Sequence, residues 1–232
     1  MKKILAILGS FIMVLPLIVG CSTTNQKFDE QIVKMEKVLQ EGKIYEDDYS
    51  IQAENYEDDE TIESVSLKKN GKNIYYNKTQ KNSSTTIWVG EKDGKYYIYK
   101  NINDKKTYRE VLETDIAANL KLLGVNVDEL AKNYLEIINS QARKITLSCK
   151  AVEKSSDCEF EKSLFGGKVS IESEHKQNGI TNLINITIKK GKPLNYEEVI
   201  KSSTTNKKAI IDVDYGKQKI SLPDIEGFTK VN

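Results

Sequence analysis

Ile62-Glu63-Ser64-Val65-Ser66-Leu67-Lys68-Lys69-Asn70-Gly71-Lys72-Asn73-Ile74-Tyr75-Tyr76 is the stretch on which the fold turns. Val65 and Leu67 alternate with polar residues, Asn70-Gly71 is a strong two-residue turn signal, and Ile74 and Tyr76 resume the alternation. The pattern predicts an antiparallel hairpin with one buried face. Its neighbours repeat it. Upstream, Tyr49, Ile51 and Ala53 stand at period two within 44–56. Downstream, Ile87 and Val89 share one face of 85–91, with Trp88 on the other. Asp93-Gly94 then turns the chain into Tyr96 and Ile98 on one face and Tyr97 and Tyr99 on the other. Residues 43–110 therefore read as a meander.

Three helices are expected around it. Phe28, Ile32, Met35 and Leu39 recur at spacings of four, three and four, which makes one apolar face over 27–41, stopped by Gly42. Val111, Leu112, Ile116, Leu120 and Leu123 predict a second helix ending at Gly124. Val127, Leu130, Leu135, Ile137 and Ile138 predict a third. Strands return at 144–152, 158–164, 168–174 and 179–189, and a short helical turn is expected over 196–201, after Pro193. Residues 209–223 predict a strand, a turn at Tyr215-Gly216 and a closing strand stopped by Pro223. The order is a helix, about five strands, two helices and about six strands. It implies an α+β fold: one strongly curved antiparallel sheet of about eleven strands, an unclosed β-barrel. The N-terminal and central helices lie on its concave side, because a flat sandwich gives three amphipathic helices no home.

The first 21 residues say where the protein works. Lys2 and Lys3 precede an apolar run over 4–20, and Ile18-Val19-Gly20-Cys21 follows. The run is short for a membrane span, is interrupted by Ser10 and Pro16, and lacks a basic flank downstream. A charged start, an apolar core and a small residue before the break mark a signal peptide over 1–20. The last four residues resemble the lipobox of bacterial lipoproteins. The resemblance implies a diacylglyceryl group on the Cys21 sulfur and cleavage before Cys21, with palmitate-type chains holding the protein at the extracytoplasmic face of the cell membrane. Two chains suffice for stable anchoring, each buried methylene contributing roughly 0.8 kcal/mol. Residues 21–26 are a short lipidated tether and 27–232 the domain.

Of the 232 residues, 35 are Lys or Arg and 34 Asp or Glu. Loss of Lys2 and Lys3 with the signal peptide leaves 33 basic against 34 acidic groups, a net of about −1. A balanced chain without a basic stripe gives no footing for nucleic acid, and a monomer is expected.

With Cys21 lipidated, Cys149 and Cys158 remain. If 144–152 and 158–164 form a hairpin on a two-residue turn, the two cysteines fall opposite each other. A disulfide, permissible after export, would contribute roughly 2.7 kcal/mol by loop closure; two free thiols are the alternative. No catalytic constellation is visible. His175 is the single histidine and has no nucleophile placed beside it. Asp47-Asp48 and Glu57-Asp58-Asp59-Glu60 lack the spaced loop of a calcium site and read as solvated turns. Asp212 and Asp214 share the solvent face of a strand. Gly166-Gly167 reads as a turn or bulge. Trp88, Tyr96, Tyr97 and Tyr99 have the ring chemistry to stack sugars or bases, but alternating tyrosine is also ordinary strand composition. No metal or cofactor is expected.

The order of elements resembles the LolA/LppX-type lipoprotein-carrier fold, an unclosed barrel with helices plugging its mouth. The ending Asp214-Tyr215-Gly216-Lys217 through Ser221-Leu222-Pro223 is similar to that of Gram-positive lipoproteins of this type. The resemblance implies a non-catalytic cavity for an apolar ligand, often a lipid, with no fixed contact residues. The expected function is thus a lipid-anchored protein that binds a hydrophobic or amphiphilic molecule, as carrier or envelope sensor, without catalysis. The alternative is a surface interaction module, an adhesin or accessory subunit, with no small-molecule ligand.

Overall fold

The computed structural model describes residues 26–41, 44, 47–151, 158–162 and 168–231. The expected signal peptide, Cys21 and nearly all of the expected tether lie outside the described residues, as does Gly166-Gly167. Helix α1 (Gln26–Gln40) precedes six strands: β1 (Tyr49–Glu57), β2 (Glu60–Asn70), β3 (Asn73–Gln80), β4 (Ser83–Lys92), β5 (Lys95–Ile102) and β6 (Lys105–Val111). A 3₁₀ turn (Glu113–Asp115), α2 (Ile116–Leu122) and α3 (Val127–Ala151) follow. The second meander comprises β7 (Cys158–Lys162), β8 (Lys168–Gln177), β9 (Ile180–Lys189), β10 (Lys192–Lys201) and β11 (Asn206–Tyr215), with a last short strand β12 (Thr229–Lys230).

All twelve strands join one sheet in the order β12-β6-β5-β4-β3-β2-β1-β11-β10-β9-β8-β7. Eleven are antiparallel to their neighbours, and β12 alone lies parallel, on β6. The first meander runs outward from β1 to one edge. The second runs from the other edge back to β11, which pairs with β1 at the centre. The sheet is thus α+β in class, curved and unclosed, with its helices on the concave side.

The connection from β6 to β7 must cross the whole sheet. At 1.5 Å per residue, the 25 residues of α3 span roughly 37 Å. The first turn of α3 already lies over β1 and β2, where Asp128 meets Tyr49 and Lys69, so residues 112–126 carry the chain back over the first meander and α3 continues across the second.

Alternation on each strand builds the concave face. Val65, Ala53, Ile211, Tyr196, Ile186 and Ile171 stand opposite one another across six consecutive strands. Phe28, Ile32, Met35 and Leu39 of α1 are all buried against this layer, with Ala131, Leu135, Ile138 and Ala142 of α3 beside them.

Four expectations are corrected. Residues 144–151 continue α3 rather than forming a strand. Ile138, Ala142 and Ile145 are buried at helical spacing while Leu147 is exposed, and the Thr146 hydroxyl donates to the Ala142 carbonyl at 2.9 Å, a bond made only within a helix. Cys149 therefore sits on a helix and Cys158 opens β7, so the hairpin argument for pairing them does not hold; their side chains lie outside the described residues. Second, residues 196–201 belong to β10, because β9 and β11 flank them and satisfy their backbone groups; the register slips beside Pro193, which lacks a donor. Third, Val111 ends β6 and Leu112 is exposed, so the second helix starts only at Ile116. Fourth, residues 217–224 form no strand. They cross the outer face of the sheet as an extended strap that ends in β12.

Candidate functional site

The concave side is occupied by protein. Several of its polar groups are tied to one another. The Tyr49 hydroxyl donates to Asp128 at 3.2 Å, and Lys69 Nζ reaches the same carboxylate at 2.7 Å. Glu63 accepts from Lys78 at 2.6 Å and from Gln80 at 3.3 Å. Glu198 accepts from the Tyr196 hydroxyl at 2.7 Å and from Asn182 Nδ2 at 3.0 Å. Burial pushes the phenols of Tyr49, Tyr134 and Tyr196 up, and the carboxylates of Asp128, Glu63 and Glu198 push in the same direction. A hollow of about 30 Å³ lies beside Asn55, Ile62, Glu198, Ile200 and Ala209. Ligand pockets are roughly 300–1,000 Å³.

The outer face carries the more distinctive chemistry. Hairpin register places Lys68, Tyr75, Trp88, Tyr99 and Tyr108 in one row across β2 to β6. Tyr99 stacks on Tyr108 with centroids 5.8 Å apart, Tyr75 tilts against Trp88 at 5.9 Å, and Tyr97 joins Tyr99 at 6.2 Å. Such pairs contribute about 0.5–1.5 kcal/mol each beyond their buried area. Two residues along each strand lies a polar row, Ser66, Asn77, Thr86, Asn101 and Lys106. Asn77 Nδ2 donates to the Thr86 hydroxyl at 2.9 Å, and the buried Asn101 Oδ1 has no protein donor. An open, polar-lined hollow of about 440 Å³ lies beyond, beside Thr79, Asn82, Ser84, Asn101 and Asn103.

The strap lies over this face. Leu222 sits directly above Gly90, where an added Cβ would come within 2.8 Å of the leucine Cδ2. The Phe228 ring meets Tyr99 edge-on at 5.5 Å and Trp88 at 6.4 Å, and Lys106 Nζ stands 5.9 Å from its centre. Tyr99 is therefore buried although it points away from the core. That burial, with Tyr97, Tyr108 and Asp224 nearby, pushes its phenol up.

Of the residues singled out in the sequence, Trp88, Tyr97 and Tyr99 meet on the outer face, while Tyr96 turns inward and packs on the core. Tyr75 and Tyr108 join through hairpin register, a signal present in the sequence. Phe228 joins from 120 residues or more away and had none. His175 is exposed on β8. Asp48 accepts from the Gly71 amide and Asp58 from the Asn206 amide, so these acidic residues fasten turns. Asp212 and Asp214 are exposed on β11. Among the described residues no group of three or more His, Cys, Asp or Glu side chains is gathered to hold a metal ion, and no helix is long and apolar enough to cross a membrane. Compared with known proteins, the chain matches no family model and no curated sequence.

Proposed function

We propose that this chain is a lipid-anchored extracytoplasmic module that acts by binding a partner through its outer surface, without catalysis. The observation that carries the reading is the contrast between the two faces of the sheet. The concave side is filled by α1, α3 and their buried side chains, whereas the outer face holds a row of rings under a shallow cover. The anchor rests on the lipobox at 18–21 and a cysteine that two acyl chains would hold at the membrane. The reading as a carrier of an apolar molecule draws on the unclosed sheet with helices across its concave side, and it requires those helices to lift.

Native mass spectrometry of the whole mature chain with Cys21→Ser, after incubation with lipid extract of the host, separates the two readings. A mass equal to the polypeptide is expected. A retained lipid adduct would overturn the surface reading in favour of a carrier. Membrane fractionation tests the anchor: the native chain is expected with the membrane and Cys21→Ser in the soluble fraction, and equal partition would refute the anchor.

A further inference from the structure

We propose that the outer face of β4 to β6 is a docking site for an extended peptide with an aromatic anchor and acidic neighbours, and that the strap occupies it in cis. The inference rests on the surface-binding reading and names the class of partner.

The strap itself shows what the surface accepts. An aromatic side chain, Phe228, fills the space between Trp88 and Tyr99. A short strand then runs parallel to β6, with Thr229 opposite Thr107 and Lys230 opposite Tyr108, and the Val231 amide donates to the Tyr108 carbonyl at 2.9 Å. This is strand addition with a side-chain pocket, the mode in which backbone bonds supply affinity and one pocket supplies specificity. Charge points the same way. Asp224 and Glu226 precede Phe228, and the face offers Lys106 over the ring and Lys68 at the far end of the row.

The strap is also weakly held. None of its residues from 217 to 231 is fully buried. Its fastenings include the Leu222 and Phe228 side chains, the Asn70 side-chain amide on the Gln218 carbonyl at 2.7 Å, the Gln218 side-chain amide on the Gly216 carbonyl at 2.9 Å and on Asp214 at 3.5 Å, and a two-residue ladder. Segments with few buried contacts open well below the global unfolding free energy. β6 has seven residues and β12 pairs with two of them, so an incoming strand that reaches Glu110, whose backbone groups face the same edge as those of Tyr108, would form ladder bonds that the strap does not. The cis segment competes at an effective concentration on the order of mM, which keeps the site closed to weak partners.

The test uses the whole mature chain with Cys21→Ser and a fluorescent synthetic peptide of residues 217–232. Weak binding is expected to the native outer face. Phe228→Ala, which loosens the cover and leaves the floor intact, is expected to tighten peptide binding at least tenfold. Adding Trp88→Ala is expected to abolish that gain. Should Phe228→Ala fail to fold, Leu222→Ala removes the side chain that sits over Gly90, leaves the floor intact and serves the same purpose. Hydrogen exchange on the unsubstituted chain gives a second readout, with the amides of 229–231 expected to exchange at least a hundredfold faster than those of β11. A folded, loosened variant that gains no peptide affinity would overturn the proposal. So would a gain indifferent to Trp88, strap amides as protected as β11, or binding of chitohexaose in place of the peptide. A lipid adduct in the mass experiment would sink the surface reading while leaving the peptide measurement to stand or fall by itself.

Discussion

Gly179 and Gly191 occupy matching positions in two hairpins, and a single methyl group at each tests how α1 is seated. The backbones agree closely. Asn178 and Gly179 have φ of 52° and 76°, and Lys190 and Gly191 have 53° and 77°. Alanine at either site must adopt the left-handed region, at roughly 1–2 kcal/mol. The loss of chain entropy in the unfolded state returns about 0.4–1 kcal/mol, so Gly179→Ala is expected to destabilise by about 1 kcal/mol, since its Cβ would meet nothing within 4 Å. At Gly191 the new Cβ would lie 2.7 Å from Lys34 Cβ in α1, against an ordinary carbon contact of about 3.5–4.0 Å. Neither atom is the end of a flexible chain. The helix must back away, disturbing Phe28, Ile32, Met35 and Leu39 and the bond from the Gly191 amide to the Gln31 side chain. Overpacking of this kind costs roughly 1–3 kcal/mol, so Gly191→Ala is expected to lose about 2–4 kcal/mol in all. Urea unfolding followed by circular dichroism, with both variants in the Cys21→Ser chain, measures the difference. Equal losses within about 0.5 kcal/mol would refute the seating of α1 on the β9–β10 turn.

Leu135→Ala empties a fully buried site on α3 and is expected to cost about 2–5 kcal/mol in the same assay. Asp104 has φ of 67° with no glycine in its turn, while its neighbour Asn103 is fastened to the Ser84 amide at 2.8 Å. Asp104→Gly removes the left-handed strain and is expected to raise stability by up to about 1 kcal/mol. Alkali should unfold the protein through its buried phenols. In the folded state Tyr49, Tyr134 and Tyr196 hold their protons beyond the pH at which unfolded tyrosine, near 10, releases them. The unfolded state then binds fewer protons, so stability is full below about pH 10 and falls as pH rises past it, by about 1.4 kcal/mol per pH unit for each tyrosine. Tyr134→Phe is expected to make that fall shallower by about one such step in urea titrations between pH 10 and 12.

Alternation and turn residues carried most of the architecture, because a half-buried strand and a tight turn are local facts. Val65-x-Leu67, Ile87-x-Val89 and Asp93-Gly94 specify their elements without help from the rest of the chain. The outer aromatic row was legible in the same way, since tight turns fix which residues face each other. The errors fall where local pattern is ambiguous. Ile145 and Leu147 alternate as a strand would, yet Ala142 and Ile145 share a helical face, and only a surface to bury that face decides between them.

What the sequence determined by itself, then, is most of the strands and tight turns, the faces they bury, and a stretch at 18–21 that resembles a lipobox. Tertiary structure alone decided the pairing of β1 with β11, which closes the two meanders into one sheet. It also decided the course of 217–231. Residues such as Leu222 and Phe228 have no local partner and no periodicity, and their positions follow from rings contributed by strands more than a hundred residues earlier.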